Sequence, residues 1–236
     1  VTTFVLIHGA WHGGWCWDRV TPLLRAAGHD VLAPTLTGVS DRAHVLSPQV
    51  GLDTHIQDVV SLIEAHDLDD VTLVGHSYGG QVITGVSDRI PDRISKRIHL
   101  DGFIGDGRSA LAQQPAEIAH HYETSVHESG FGWLIPPRSL AKLGVTEQAD
   151  LDWLTPRLTP HPWKAWTDEL PLTGAFNDVT PAYVGCVDWM AVFQPNLEQA
   201  KAAGWDTVEL QTGHEAMVTA PRELADALLS LVDTKE

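Results

Sequence analysis

Ser77 stands at the centre of Gly75-His76-Ser77-Tyr78-Gly79, a Gly-x-Ser-x-Gly pattern. A serine hydroxyl is a poor nucleophile near neutral pH. It needs a base within hydrogen-bond reach and a third group to hold that base. The flanking residues say how this serine is presented. Val71-Thr72-Leu73-Val74 reads as a buried strand, and Val82, Ile83 and Val86 fall on one face of a following helix. Ser77 is therefore predicted on a tight strand-to-helix turn. Side chains beside it would crowd that turn, which accounts for a glycine two residues to either side. The helix amino terminus behind the serine favours negative charge developing there.

A second glycine-rich stretch follows the first strand. Thr3-Phe4-Val5-Leu6-Ile7 is apolar with no polar face after Thr3, as in a sheet covered on both sides. It runs into His8-Gly9-Ala10-Trp11-His12-Gly13-Gly14-Trp15-Cys16-Trp17, whose glycines let backbone approach a ligand closely. Trp15 and Trp17 read as core filling and Trp11 as a pocket wall. A helix is expected over residues 17–27 and a strand over 29–34. Thr35 to Pro48 reads as loop, with Asp41, Arg42 and His44 solvated. Thr54-x-x-Gln57 reads as a capping box, and Ile56, Val59, Val60 and Ile63 give the next helix its buried face.

A fourth strand, Ile94 to Leu100, ends at Asp101-Gly102. The character then changes. Residues 105–181 hold eight of the fourteen prolines and four of the nine tryptophans, Trp133, Trp153, Trp163 and Trp166. Short helices and loops are expected there, forming a lid over the carboxyl ends of the strands. Its aromatics suit an apolar acyl or aryl pocket, with Trp133 facing the substrate. A fifth strand over 182–187 ends at Asp188, a helix spans 196–203, and a last strand over 205–210 leads to Gly213-His214. Pro221 opens a final helix with Leu224, Leu228 and Leu231 inward. Strands and helices alternate throughout, so the sheet should be mostly parallel. The expected organisation is one domain over 1–236, with the lid inserted between the fourth and fifth core strands.

The chain of 236 residues is long enough for a sizeable core, and its net charge is −16, from 15 basic and 31 acidic side chains. Such a balance argues against nucleic acid and anionic membranes as partners. Cys16 and Cys186 form no Cys-x-x-Cys pair, so both should be reduced thiols. No apolar run approaches membrane-spanning length and the N-terminus lacks a signal-peptide pattern, which makes the cytoplasm the expected compartment. Glu117 with His121, and Glu123 with His127, are spaced four apart, but no His-Glu-x-x-His occurs and a solvated helix face is the better reading. There is neither a dinucleotide-binding fingerprint nor a P-loop, so no cofactor and no metal are expected.

Together, Phe4 to Trp15, Gly28-His29, Gly75 to Gly80, and Gly213-His214-Glu215-Ala216-Met217 resemble the α/β-hydrolase family of plant methylesterases, hydroxynitrile lyases and bacterial pyrethroid-hydrolase-type esterases. The resemblance spans nearly all the chain except the lid. It implies the α/β-hydrolase fold, a six-stranded mostly parallel sheet with helices on both faces. It implies a triad in the order Ser…Asp…His, which assigns Ser77, Asp188 and His214. Asp101, at the end of the preceding strand, is the rival for the acid. It further implies an oxyanion hole from the backbone N–H groups of Ala10 and Tyr78.

The activity implied is carboxylic ester hydrolysis on a small to medium apolar or aryl ester, through an acyl-enzyme. The hydroxynitrile lyases of this family carry threonine where this chain has Gly9, and lysine where it has Glu215. A glutamate would repel a leaving cyanide, so both departures favour the esterases. Cyanohydrin cleavage on the same triad and non-catalytic small-molecule binding are the alternatives. The expected partner is a small-molecule ester, with homodimerisation left open.

Overall fold

The computed structural model describes residues 1–189 and 192–232. The chain lays down β1 (Thr3–Ile7), α1 (Thr21–Ala26), β2 (Asp30–Leu32), α2 (Leu52–Ala65), β3 (Val71–His76), α3 (Gly79–Arg89) and β4 (Ile94–Leu100) before a long excursion. That excursion carries α4 (Ala116–Ser129), β5 (Leu134–Ile135), α5 (Gln148–Leu154), β6 (His161–Pro162) and α6 (Lys164–Thr167). The core resumes with β7 (Thr180–Cys186), α7 (Gln194–Ala202), β8 (Asp206–Leu210), α8 (Ala216–Thr219) and α9 (Pro221–Val232).

Six strands form one sheet in the order β2-β1-β3-β4-β7-β8, and every neighbouring pair is parallel. All six residues of β3 are buried, as are the last four of β1. Successive strand residues point to opposite faces, so unbroken burial means both faces are covered. α2 packs with α3 and α1 with α9. The buried faces are those expected: Ile56, Val59, Val60 and Ile63 on α2, and Leu224, Leu228 and Leu231 on α9.

The chain winds outward from β1 to β2, then reverses through β3, β4, β7 and β8. The crevice at such a reversal, outside the carboxyl ends of the strands, is where open parallel sheets bind ligands. Here it opens between β1 and β3, the strands that lead into Gly9-Ala10 and into Ser77.

Two local expectations change. The first helix begins at Thr21, not Trp17, after a short 3-10 turn over Gly14–Trp17, and Pro22 fits its first turn. The second begins at Leu52, so Thr54 lies inside its first turn and its Oγ accepts the Gly51 N–H at 3.3 Å. The Leu52 N–H is capped by Asp168 Oδ2 at 3.1 Å, a partner 116 residues away that no local pattern signals.

The excursion is tied to the core at defined points. Asp88 of α3 accepts the N–H groups of Thr173, Gly174 and Phe176. Trp11 Nε1–H donates to the Ile135 carbonyl at 3.2 Å, and the Thr159 N–H donates to the Trp11 carbonyl at 3.0 Å. Among the described residues, no helix is long and apolar enough to cross a membrane.

Candidate active site

Ser77 follows β3 directly, with φ of +53°, a left-handed conformation that side-chain-bearing residues rarely adopt. The turn around it leaves no room for a Cβ at either flanking glycine. One on Gly75 would lie 2.5 Å from the Gly79 carbonyl oxygen, and one on Gly79 would lie 2.8 Å from that of Ile7. The strain is held by hydrogen bonds: the Ser77 N–H donates to Leu100 O at 3.0 Å, and its carbonyl accepts the N–H groups of Gly80 and Phe103. The sequence reading of a strand–turn–helix with a presented serine matches this geometry.

His214, in the loop after β8, lines the same cavity as Ser77. Its Nδ1–H donates to Asp101 Oδ2 at 2.7 Å, and both side chains are nearly inaccessible. That bond leaves Nε2 as the basic nitrogen. The imidazole is walled by Trp189 and by Phe193, which stacks on it at 5.5 Å. His214 is fixed along its backbone too, through its N–H to Leu143 O and its carbonyl to His76 Nε2–H.

The carboxylate on the histidine is therefore Asp101, not Asp188. Asp101 follows β4 with φ of +38°, and its Oδ1 accepts the Cys186 N–H at 3.2 Å. Pairing of Leu100 with Val184 sets Asp101 level with the end of β7, directly beneath the histidine loop. Asp188 lies beyond that level. Its N–H is spent on Thr212 O and its side chain is exposed. Both aspartates end adjacent strands and both keep the chain order Ser…Asp…His, so only the register separates them.

Ala10 and Tyr78 flank Ser77 from the β1 loop and from the start of α3. Among the described residues, neither backbone N–H finds a hydrogen-bond acceptor. The β1 loop is fixed by the His12 Nδ1–H bond to Ala10 O at 2.7 Å, and Trp11 takes φ of +69°. The Tyr78 side chain is buried and its hydroxyl meets His55 Nδ1 at 2.9 Å.

Beneath these groups lies a charge pair that the sequence did not disclose. His12 Nε2 approaches Glu215 Oε2 at 3.2 Å, with both side chains about 1% exposed. The approach is close but not aligned as a hydrogen bond, so it acts as a charge contact. Burial alone would raise the Glu215 carboxyl. The charge of His12 outweighs it and holds the group at about 2. Burial alone would lower His12, and Glu215 raises it instead. His76 is pushed well down by burial and then by His214, and stays neutral. His76, His214 and Glu215 bring ligand-type atoms within 4.8 Å of one another. Two of the three are already paired, His214 with Asp101 and Glu215 with His12.

The cavity over Ser77 and His214 is walled by Trp11, Tyr122, Trp166, Trp189 and Phe193, with Gln114 and Arg138 as its polar members. Its free space is small, about 20 Å³. Trp11 is in this wall. Trp133 is not: α4 presents Tyr122 to the cavity, and Trp133 lies past the turn at Gly130, its carbonyl accepting the Trp163 N–H. The Glu117, His121, Glu123 and His127 side chains are exposed on α4. A larger cavity of about 420 Å³ opens at the amino ends of the strands, beside Thr2, Thr72 and Lys96, remote from Ser77.

This fold and this constellation have relatives. The α/β hydrolase family model matches residues 4–227. A carbendazim-hydrolysing esterase from a Nocardioides species is 40% identical, over 98% of this chain and 100% of its own. Methylesterase 2 of Arabidopsis thaliana is 27% identical over 98% and 95%. Among solved structures, an extracellular α/β-hydrolase from a Paenibacillus species superposes with a TM-score of 0.87 at 28% identity, covering 98% of this chain and 99% of its own. The chain belongs to the α/β-hydrolase family, on the branch that holds the methylesterases.

Proposed function

We propose that this protein is a serine carboxylesterase that cleaves small to medium apolar or aryl esters through an acyl-enzyme, with Ser77, His214 and Asp101 as its triad. The carrying observation is the 2.7 Å bond from His214 Nδ1–H to a buried carboxylate, on a histidine sharing its cavity with a left-handed serine. In the first step the Ser77 Oγ attacks the ester carbonyl carbon as His214 Nε2 takes its proton. The carbonyl oxygen becomes an oxyanion, held by the Ala10 and Tyr78 N–H groups. Collapse breaks the bond to the alkoxy oxygen, and His214 returns the proton to the leaving alcohol. Water then attacks the acyl carbon while His214 takes its proton. The acid leaves and Ser77 regains its hydrogen. Asp101 keeps the histidine in the productive tautomer and stabilises its cation.

Esterase names among the relatives support hydrolysis over cyanohydrin cleavage, and so does Gly9. A Cβ there would lie 2.8 Å from His76 Nδ1 and 3.0 Å from Ser77 Cβ, so the threonine expected of the lyases does not fit this loop. Glu215, held as a carboxylate, sets negative charge where a departing cyanide would need positive. The excursion over residues 105–181 serves as the lid. With so little free volume above Ser77, substrate enters only when it moves aside.

The test is hydrolysis of a graded series of p-nitrophenyl esters by the wild type and by Ser77→Ala. A burst of p-nitrophenol followed by steady turnover, absent in the variant, is expected. Equal inertness of both proteins on every ester would overturn the reading.

A further inference from the structure

The buried pair beneath the active site joins two loops that carry different halves of the proposed chemistry. His12 stands two residues after Ala10, in the loop that follows β1. Glu215 is the next residue after His214, in the loop that follows β8. One imidazole spans them: its Nδ1–H donates to Ala10 O at 2.7 Å, and its Nε2 lies 3.2 Å from Glu215 Oε2. Among the described residues, no hydrogen bond runs between residues 8–17 and 211–217, so this contact is the polar link between the loops. Both loops also lean on the excursion, the first through Trp11 to Ile135 and Thr159, the second through the His214 N–H to Leu143 O. Those bonds are disturbed whenever the excursion moves aside for substrate. The contact of His12 with Glu215 does not involve the excursion. Buried ion pairs are often no more stabilising than apolar side chains of the same volume, so stability alone does not account for two charges here.

We propose that His12 and Glu215 are positioning residues, whose contact holds the oxyanion loop in register with the histidine loop while the excursion moves. The Ala10 N–H then meets the oxygen on which charge develops at the same time as His214 meets Ser77. This rests on the esterase reading and its oxyanion hole, and it adds two residues that touch no substrate. Such groups must be held within about 0.5 Å of the productive geometry, and a misplacement of about 1 Å can cost on the order of 100-fold in rate. The link depends on charge. Burial lowers His12 and Glu215 raises it, so an apolar residue at 215 leaves the imidazole neutral and without a partner at Nε2.

The test is Glu215→Met, of similar side-chain length, assayed on p-nitrophenyl acetate under conditions where near-UV circular dichroism shows it folded. Its kcat is expected to fall about 10- to 100-fold with KM within about threefold. Benzyl trifluoromethyl ketone reports on the oxyanion directly. Ser77 Oγ bonds to its carbonyl carbon, the Ser77 proton passes to His214 Nε2, and the carbonyl oxygen becomes the anion. Its inhibition constant should rise by the factor by which kcat falls, while that of benzyl methyl ketone, which does not add readily, stays within about threefold. Glu215→Gln, whose amide N–H can donate to the neutral His12 Nε2, should recover most of the loss. His12→Asn breaks the link from the other side, and His12→Asn/Glu215→Met leaves no buried charge unpaired. Acting as one unit, the two substitutions together should cost no more than either alone. A folded Glu215→Met with kcat within threefold of wild type would overturn the proposal. So would equal loss of affinity for both ketones, or losses that multiply in the double variant. Should the single variants fail to fold, the double variant is held to the same kcat and ketone criteria. Turnover of p-nitrophenyl acetate by wild type and variant alike overturns this assignment alone, and inertness of the wild type overturns the esterase reading with it.

Discussion

Asp101→Asn changes one atom in the buried bond that orients His214, the proposed general base. Asp101 accepts two hydrogen bonds, from His214 Nδ1–H at 2.7 Å and from the Cys186 N–H at 3.2 Å. An asparagine can keep only one of these arrangements. If its oxygen stays on Cys186, its NH2 faces His214 Nδ1, and the imidazole must carry its hydrogen on Nε2 instead. That tautomer cannot take the Ser77 proton. Where the same replacement traps the wrong tautomer in a serine protease, kcat falls on the order of 10⁴-fold. That corresponds to about 5–6 kcal/mol of lost transition-state stabilisation. The expected result is a loss of about 10³ to 10⁴ in kcat with KM little changed, since Asp101 touches no substrate. Asp188→Asn, altering an exposed side chain, should stay within about twofold of wild type. Steady-state hydrolysis of p-nitrophenyl acetate measures both. An active Asp101→Asn enzyme beside an inactive Asp188→Asn enzyme would refute the assignment.

Glu215→Gln removes the charge from the buried pair with His12. A carboxylate held at about 2 instead of 4.5 contributes about 3 kcal/mol at neutral pH. Because it is depressed, its contribution is present above 4.5 and lost as pH falls toward 2. His12 is raised, so its contribution is present below 6.5 and lost as pH climbs through its folded value. The stability gap between wild type and variant in urea titrations should thus be widest between about pH 5 and 6.5 and narrow on both sides; a gap constant from pH 3 to 9 would contradict the pairing. Gly9→Thr should lower ester turnover about 10- to 100-fold by displacing the β1 loop against Ser77, and activity within twofold of wild type would show that the loop yields. Asp88→Ala strips the acceptor from three N–H groups of the excursion and should cost about 1–3 kcal/mol in denaturant unfolding, whereas no loss would mean that water replaces it fully.

The elbow was legible because its signal is local. Apolar β3, the glycine spacing and the α3 period lie within sixteen residues, and each carries its own physical reason. The parallel sheet was legible for the same cause, since alternation and unbroken apolar strands are written along the chain. The acid was not decidable. Asp101 and Asp188 both end neighbouring strands, and the pairing of Leu100 with Val184 that separates them is a tertiary fact. Glu215 lay in view beside His214, but its partner His12 is about two hundred residues away. The lining of the cavity was the least legible part. Trp133 and Tyr122 are both aromatics of the excursion, and only the turn at Gly130 decides which of them faces Ser77.

The central claim is a covalent intermediate on Ser77, and rapid acid quench during turnover of a p-nitrophenyl ester, followed by intact and peptide mass spectrometry, tests it directly. The account predicts an acyl adduct on the peptide containing Ser77, formed in the burst phase and absent from Ser77→Ala. Turnover with no adduct at any quench time, or an adduct on another residue, would contradict it.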